Sequence, residues 1–449
     1  MKQKPLKNMK RILLTYLMLI AAVGSRGAES ESREMTLDDC LLYALQHSHR
    51  NLTARLETQR ASTEVRITAS SMMPQLGVYG NGNISFGRNI DPATNTYDNK
   101  QTLSTGFGVQ LSLPVFDGLV RFNNLRASRV GKLRAVSRER LEQDEVSMEV
   151  IREFYQVAYC KTMVNVMAEQ LRRDSTDLRA TRRGYELGEK SGADVAELEA
   201  LVAADEFELL NQRNLLSKAE LSLRGAMGMP LEGDSLILIE TPMEYSAATP
   251  ATTSLHPRLE EAALAVKGSR YELLAAKGEY FPSISLSGGL STSYYKMLNT
   301  TAAYPSFARQ MRDNMGEYLG LSVSLPLFNG LSTTNRVKHA RILLKENQLR
   351  LEQTQYELEQ ETLDARLDYE SACEESRSAQ RRVEAEETAF KATRRKYELG
   401  DASAIDLYTA AGKLAAARGA AEGKRIQKII SYKAWRYCLG EPLMQLPMK

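Results

Sequence analysis

The sequence predicts a mixed α+β fold that is built as an internal duplication, with two strands and several long helices in each half. The motif Ala-Thr-Arg-Arg-x-Tyr-Glu-Leu-Gly occurs at residues 180–188 and again at residues 392–400, which is 212 positions later. The same offset relates residues 113–118 to residues 325–330, and Asp194 to Asp406. An offset that several motifs share indicates two copies of one structural unit.

The N-terminal segment, residues 1–28, is expected to be a secretory signal peptide. Basic residues precede an apolar run at residues 12–23, and small residues follow it, which is the usual order in such peptides. The run is shorter than the roughly 20 helical residues that cross a bilayer, so we expect removal rather than anchoring. No later apolar run reaches about 18 residues, so no membrane-spanning helix is predicted.

Composition and charge narrow the function classes. The chain has 59 Lys and Arg residues against 56 Asp and Glu residues, so no strong net field favours nucleic acid as a partner. The four cysteines are scattered and fit neither a metal-binding spacing nor a disulfide framework. We therefore expect packed thiols on helices. These cysteines are Cys40, Cys160, Cys373 and Cys438.

The first element of repeat one is predicted to be a helix that begins near Thr36 and runs to a turn at Pro74. Thr36 can accept a hydrogen bond from a backbone N–H group at the helix start, and Asp38 and Asp39 suit the positive end of the helix dipole. In both repeats the predicted order is then two strands, a very long helix, a tight turn and a return helix.

Two strands are predicted in each repeat, because apolar and polar residues alternate with a period of two. The alternating segments are residues 76–86 and 103–113 in repeat one, and residues 284–294 and 319–325 in repeat two. About 11 residues are enough for a tilted strand to cross a bilayer. The same alternation also fits a soluble, half-buried sheet, so the strands alone leave both interpretations open.

A very long helix is predicted after the strands of each repeat. Residues 119–185 and 331–397 contain no proline, and a helix of about 65 residues would be about 100 Å long. Apolar residues recur every seven positions along this helix and along the return helix, which indicates coiled-coil packing. The first stripe comprises Val150, Val157, Val164, Leu171, Leu178 and Tyr185, and the second comprises Val195, Val202, Leu209, Leu216 and Leu223.

The predicted organisation is repeat one at residues 35–231, a linker at residues 232–255 and repeat two at residues 256–445. The linker carries a short apolar run at residues 236–239, followed by prolines, alanines and threonines. It is expected to hold one short strand.

Closure of a membrane barrel would need more than one chain. Four strands leave two unpaired edges, which the hydrocarbon of a bilayer does not tolerate. Two copies would give eight strands and three copies twelve, and only the larger ring leaves room for an aqueous channel. The strand arithmetic therefore favours three copies over two.

On these motifs the chain resembles the TolC-like outer membrane efflux protein family, the outer membrane factors, over about residues 35–445. The resemblance depends on the strand-to-helix junctions, the Tyr-Glu-Leu-Gly turns with an aspartate six residues after the glycine, and helix starts at His49 and at His256-Pro257. The junction residues are Pro114, Phe116, Gly118, Pro326, Phe328 and Gly330.

The resemblance implies a homotrimer in which four strands per subunit form a twelve-stranded barrel in outer membrane lipid. The long helices would continue this barrel through the periplasm as a coiled-coil α-helical barrel, with the linker in its equatorial region. The trimer would be the exit duct of a tripartite efflux pump or a type I secretion system. A periplasmic adaptor (membrane fusion) protein and an inner-membrane pump of RND or ABC type would dock at the helical tips.

The resemblance also assigns site residues. The tips are residues 185–195 and 397–407, and the docking candidates are Leu187, Gly188, Leu399 and Gly400. Asp194 and Tyr397 match periplasmic gate positions, and Asp406 matches a tunnel constriction where threefold symmetry would give a carboxylate ring. Ala402 and Thr409 replace residues that the family pattern would use there.

Each of these residues also has a plain structural interpretation. The two glycines suit a chain reversal with positive φ. Asp194 and Asp406 suit helix capping, and Tyr397 suits packing between helices. The sequence leaves the structural and the functional interpretations open.

No catalytic or cofactor motif is recognised, so we expect neither an enzyme nor a cofactor. His47 and His49 are better explained as surface residues than as metal ligands.

The alternative function is a periplasmic structural or adhesive coiled-coil protein without channel activity. For a channel the cargo stays open between drugs or small toxic molecules, secreted protein and metal ions. Loops 87–101 and 296–317 would face the exterior, and Tyr304, Phe307, Arg309 and Arg312 could narrow the outer mouth.

Overall fold

The structure is a computed structural model that describes residues 33–91, 95–99, 101–232, 236–240, 256–298 and 303–443. The predicted signal peptide and most of the predicted linker lie outside these residues. No helix in the described ranges is long and apolar enough to span a membrane.

The secondary structure follows the duplication. The first half contains β1 (Arg33–Thr36), α1 (Leu37–His47), α2 (His49–Ser70), β2 (Gln75–Ser85), β3 (Arg88–Asp91), β4 (Thr96–Asn99), β5 (Thr102–Asp117), α3 (Val120–Glu186) and α4 (Gly192–Met227). After β6 (Leu236–Ile239), the second half contains α5 (Pro257–Gly278), β7 (Ser283–Met297), α6 (Phe307–Asp313), β8 (Gly316–Ser324), α7 (Ser332–Leu399) and α8 (Ala404–Cys438).

The four predicted strands form one antiparallel sheet in the order β2-β5-β7-β8. Val109 pairs with Val78 on one side and with Leu290 on the other, so one face of the sheet is apolar. Gln110 pairs with Gly77 and Gly289, and the alternate face is rich in serine, glycine and asparagine. Pairing of β5 with β7 joins the two repeats, and β2 and β8 are left at the edges.

Two of the strands are longer than the predicted segments of about 11 residues. β5 has 16 residues and β7 has 15, and both extend beyond the alternating apolar residues. Pairing between these two central strands stabilises the added residues, with a bulge between Pro114 and Phe116. Alternation alone could not set these ends, because backbone pairing continues where the pattern stops.

The predicted long helices are confirmed. α3 has 67 residues and α7 has 68, which corresponds to about 100 Å each. Each pairs with its return helix, α3 with α4 and α7 with α8. We call the contact stripe between α3 and α4 the first seam; it buries Val150, Val157, Leu178, Leu198 and Leu209. Tyr185, the last member of the predicted stripe, is exposed at the end of the helix.

The prediction from the residue pattern of one helix from Thr36 to Pro74 is wrong, whereas the helix start at His49 that the family resemblance includes is confirmed. The chain forms α1 and α2, which are separated at Ser48, where ψ is 130°. The start was predicted correctly, since Thr36 and Asp39 form a reciprocal capping box. The break coincides with the close approach of Gly228, where a Cβ atom would lie 2.6 Å from the His47 carbonyl oxygen. Tertiary packing therefore sets this break, and no local proline or glycine marks it.

The main apolar core lies around the middle of α3. It joins α1, the middle of α3, the end of α4 and the end of α8, and includes Leu41, Ile151, Phe154, Leu223 and Met227. A two-stranded parallel sheet flanks this core, because β1 pairs with the predicted linker strand β6. Strand β1 was not predicted. Cys40 and Cys160 are buried, and Cys373 and Cys438 are partly buried; all four are free thiols.

The outer loops carry secondary structure. β3 and β4 form a hairpin in residues 87–101, and α6 lies in residues 296–317. The Gln310 side chain bonds to both the backbone N and O of Tyr295, at 3.0 Å each, so α6 covers the edge of β7 where β8 has not begun. Phe307 packs against Phe107 and Tyr294 on the apolar face, whereas Tyr304 contacts Tyr295 on the alternate face.

Candidate functional site

The first tip, residues 185–195, is a tight reversal between α3 and α4. Leu187 ends α3 with helical φ and ψ, and Gly188 then takes a φ of +78°. Glu189 donates its backbone N–H to the Gly184 carbonyl oxygen at 2.8 Å, which satisfies a terminal carbonyl group. A positive φ after a helix end is the conformation that glycine adopts without steric strain.

The second tip, residues 397–407, repeats this geometry between α7 and α8. Gly400 has a φ of +82°, and Asp401 donates its backbone N–H to the Lys396 carbonyl oxygen at 2.8 Å. The structural interpretation of both glycines is therefore correct at the level of the backbone.

Asp194 and Asp406 lie in equivalent capping boxes. The N-cap residues are Ser191 and Ser403, and each aspartate lies three residues later. Ser191 donates its backbone N–H to Asp194 Oδ2 at 3.0 Å, and Ser403 does the same to Asp406 Oδ2 at 3.0 Å. The aspartates thus complete the cap and are not the N-cap residue itself.

Hydrogen bonding in these boxes favours the ionised carboxylates. The pKa of Asp194 is lowered chiefly by the backbone N–H of Ser191 and then by its hydroxyl group. The pKa of Asp406 is lowered chiefly by the Ser403 hydroxyl group and then by its backbone N–H. Asp406 is exposed and Asp194 is partly exposed, so each presents a negative charge to solvent at neutral pH.

Tyr397 connects the two tips of one chain. Its hydroxyl group lies 3.1 Å from Thr181 Oγ1 on α3, and the ammonium group of Lys190 lies 5.1 Å from its ring centre. Tyr397 packs against two separate small apolar clusters, one that includes Leu198 and one that includes Phe390. The Tyr397 hydroxyl therefore meets Thr181, while the Asp194 carboxylate is bonded within its capping box.

The tips expose apolar side chains. Leu187 is 75% exposed and Leu399 is 69% exposed. Tyr185 and Ile405 are also exposed there. Ile405 was not singled out in the sequence; it lies in the first turn of α8, after the N-cap residue Ser403.

The strand-to-helix junctions differ between the repeats. Gly118 and Leu119 have φ values of +68° and +66°, and Gly330 and Leu331 have +64° and +63°. The first junction is packed, since a Cβ atom on Gly118 would lie 2.0 Å from the Gly278 carbonyl oxygen. In the second junction Phe328 is exposed, and Pro326 lies beyond the end of β8.

A basic groove between the two coiled coils was not predicted. It has a volume of about 920 Å³ and lies between α3, α7 and α8. Its lining includes Arg377, Arg381, Arg418 and Arg425, with Cys373 among them. Because these residues come from different helices, no local sequence pattern could have brought them together.

The two repeats also match a known protein family. The family model described as outer membrane efflux protein matches residues 41–229 and 251–441, once in each repeat. The chain belongs to the outer membrane efflux protein family. As a family member it is an outer membrane protein whose helices lie in the periplasm, and the alternative of a coiled-coil protein without channel activity is not supported.

Similar proteins support this assignment over most of the chain. The outer membrane efflux protein BepC of Brucella suis is 24% identical over 410 residues, covering 89% of this chain and 84% of BepC. The toluene efflux pump outer membrane protein TtgC of Pseudomonas putida is 23% identical over 435 residues, covering 91% and 85%. These relatives are transport proteins and not enzymes.

A solved structure supports the fold. A crystal structure of CusC superimposes with a TM-score of 0.77 at 17% identity, covering 92% of this chain and 94% of that chain. The cation efflux system protein CusC of Escherichia coli is 21% identical over 376 residues, covering 81% and 78%. The predicted mixed fold with an outer membrane strand region and long helices is confirmed.

Proposed function

We propose that three copies of this chain form the exit duct of a tripartite efflux pump, which conducts substrates across the periplasm and the outer membrane. The observation that carries this proposal is the sheet β2-β5-β7-β8, with one apolar face, one polar face and two open edges. Backbone groups at such edges need partners in hydrocarbon. Pairing of β8 with β2 of the next copy would close a ring of twelve strands.

The helices support the same closure. α2, α3, α5 and α7 lie side by side, so α2 and α7 are at the two edges of this layer. α7 carries an exposed apolar stripe with seven-residue spacing, made of Ile342, Leu349, Tyr356 and Leu363. α2 exposes Leu56 and Ile67 at the opposite edge. Contact between α7 of one copy and α2 of the next would bury both surfaces.

The polar face of the sheet would line the channel. Gln110, Ser291 and Ser293 lie on this face, and small residues there leave space for water. In a ring of twelve strands the interior is wide enough for an aqueous path. On this arrangement Tyr304 stays a candidate for narrowing the outer mouth, whereas Phe307 packs on the apolar face and would meet lipid.

The tips would receive a periplasmic adaptor protein, through which the inner-membrane pump would be coupled. Their exposed leucines, Leu187 and Leu399, and the glycine turns at Gly188 and Gly400 support this assignment. Asp194, Tyr397 and Asp406 are proposed as gate and constriction residues. Three copies would place three Asp406 carboxylates around the tunnel, which favours cations over free anions.

The cargo is proposed only as a class of small exported molecules. The relatives' names refer to toluene, to antibiotics and to cations, and the described tunnel residues do not separate these cargoes. Secretion of whole proteins has no supporting observation in the helices or the sheet.

Efflux by cells that lack their own outer membrane efflux channel tests the proposal. Cells that express the chain with its matching adaptor and pump should export a fluorescent dye. The double variant Leu187→Asp/Leu399→Asp should lose export and keep the trimer mass in detergent, because charged tips would not bury against a partner. The matched control Leu187→Met/Leu399→Met should export normally. A monomeric wild-type protein, or full export by the aspartate variant, would contradict the proposal.

A further inference from the structure

Two carboxylic acids lie inside the first seam, where a coiled coil normally has apolar residues. Asp174 on α3 lies between Leu171 and Leu178 in the seven-residue pattern. Asp205 on α4 lies between Val202 and Leu209 and is only 4% exposed. A buried charge is unfavourable unless it is paired or neutralised. At these positions each carboxylate therefore needs either a paired group or a bound proton that neutralises its charge.

The hydrogen bonds around the pair leave two oxygen atoms without a donor. Gln170 donates from Nε2 to Asp205 Oδ1 at 2.7 Å. Oδ2 of Asp174 and Oδ2 of Asp205 are buried, and no donor in the described part of the chain bonds to either. A side-chain hydrogen bond with Asp205 is one of the causes that raise the pKa of Asp174. Because an ionised carboxylate only accepts hydrogen bonds, this bond forms when one group carries a proton.

Charged groups on the neighbouring helices do not neutralise the pair. On α3, Arg173 lowers and Asp177 raises the pKa of Asp174, and the Arg173 guanidinium lies 5.3 Å from the centre of the Phe390 ring on α7. Arg394 and Glu398 on α7 act on Asp177 with opposite signs. Tyr408 on α8 has a pKa raised by burial and then by both aspartates. Burial, and then Asp205, raise the pKa of Asp174 to about 8.

The second coiled coil lacks this arrangement. The positions 212 residues after Asp174 and Asp205 are Glu386 and Ala417, and Gln170 corresponds to Arg382. Only one carboxyl group therefore lies at these positions in repeat two. The paired acids belong to the first tip alone, although the two tips have the same turn and the same capping box.

We propose that Asp174 and Asp205 share one proton that holds α3 and α4 together near the first tip, and that loss of this proton loosens the first tip but not the second. Asp174 lies 12 residues before the end of α3, or about 18 Å from it. The importance of such loosening rests on the proposed function, since the tips are the proposed docking and gating surface.

The direction of the pH effect on stability follows from the raised pKa of Asp174. The pKa of Asp174 is raised in the folded chain from 3.8 to about 8, so the folded chain holds the proton more tightly than the unfolded chain. The stabilising contribution is complete below about pH 4 and is lost as the pH rises through about 8. Above that pH the shared proton is lost, and two carboxylates repel each other inside the seam.

Infrared spectroscopy of the detergent-solubilised full-length protein tests the shared proton. The spectra are recorded in a titration from about pH 5 to pH 10. The wild type should show a carboxylic-acid carbonyl band at the acidic end, and this band should disappear near pH 8. The variants Asp174→Asn and Asp205→Asn should each lack this band, since the remaining carboxyl group accepts a hydrogen bond from the new amide. The control Glu386→Gln, at the equivalent position in repeat two, should keep it.

Amide hydrogen exchange tests the loosening. Above about pH 8 the amides of residues 175–186 should lose protection relative to residues 387–398, which serve as an internal reference at the same pH. Asp205→Asn should abolish this difference between the tips.

Three outcomes would overturn the proposal. They are absence of the band in the wild type, its persistence in both single variants, or its loss on addition of Na⁺ or Ca²⁺ at pH 7, which would mean that the pair holds a cation. None of these readouts depends on export. If the proposed function fails, export is lost and the carboxylic-acid band is still present. If this inference fails, export is normal and the band is absent.

Discussion

Gly118 and Gly330 are equivalent residues with the same backbone conformation and different surroundings. Gly118 approaches Gly278 at the end of α5, whereas a Cβ atom on Gly330 would meet nothing within 4 Å in the chain. The duplicated motif predicted both turns, because each has a strand before it and a proline-free helix after it. The close contact at Gly118 joins residues 160 positions apart, so the motif itself could not reveal it.

Substitution of these two glycines should therefore have unequal effects. Gly330→Ala should lower the free energy of unfolding by about 1–2 kcal/mol, because an L side chain is strained at positive φ. Gly118→Ala should lose considerably more, since the backbone of α5 would have to move. Thermal unfolding of the two purified variants measures the difference, and equal losses would contradict this explanation.

The cysteines should differ in reactivity in the same way. Burial, and then the charge of Asp39, raise the pKa of Cys40 to about 12, so its reactive thiolate form is scarce at neutral pH. Cys373 is partly exposed in the basic groove. A maleimide reagent should label Cys373 and spare Cys40 in the folded protein, and mass spectrometry of peptides would show this. Both should be labelled after unfolding; prompt labelling of Cys40 before unfolding would contradict the buried assignment.

At the scale of elements, periodicity predicted the interior of each helix and strand better than its ends. The proline-free runs gave α3 and α7 within two residues, because coiled-coil spacing and helix length support each other. The break at Ser48 and the pairing of β1 with β6 depend on contacts between distant parts of the chain. Asp194 and Asp406 were expected to cap the return helices, and they do so from the third position of a capping box whose N-cap residues are Ser191 and Ser403.

Helix α5 should be sensitive to acid at its N-cap residue. His256 is the N-cap, and its Nδ1 accepts a hydrogen bond from the backbone N–H of Arg258 at 3.3 Å. Burial, and then the charge of Arg258, lower the pKa of His256 from 6.5 to about 4, against the opposite effect of Glu361. The unfolded chain thus binds the proton more readily. Stability should be lost as the pH falls from about 6.5 to about 4.

His256→Asn should flatten this dependence, because asparagine can cap the helix without taking up a proton. Thermal unfolding between about pH 4 and pH 7 measures the effect. The exposed residue His47 provides the control, and His47→Asn should leave the wild-type pH dependence unchanged. A similar loss of stability toward acid in His256→Asn would assign the sensitivity to another group.

At the scale of the whole molecule, strand alternation predicted the four-stranded sheet, and the edge argument predicted association. The groove and the buried acid pair were not predicted, because each brings together residues from different helices. The exposed stripe on α7 could have been recognised in the sequence, since Ile342, Leu349, Tyr356 and Leu363 are seven residues apart. It continues the same kind of periodicity that identified the first seam.

This stripe should be required for assembly. Tyr356 is 69% exposed in one chain, and Tyr356→Asp should reduce the trimer fraction because a charge would be buried between copies. Tyr356→Phe should assemble normally. Native mass spectrometry in detergent distinguishes trimer from monomer, and a fully trimeric aspartate variant would show that α7 does not lie between copies.

The sheet also has a consequence for the chain before it assembles. β2 and β8 offer 11 and nine residues of edge backbone, whereas Gln310 seals the exposed end of β7. An isolated subunit would therefore expose two unpaired strand edges, to which an extended peptide could add as a further strand. Such edges are a known cause of aggregation. The isolated subunit would therefore avoid aggregation only if it assembles with other copies faster than it aggregates.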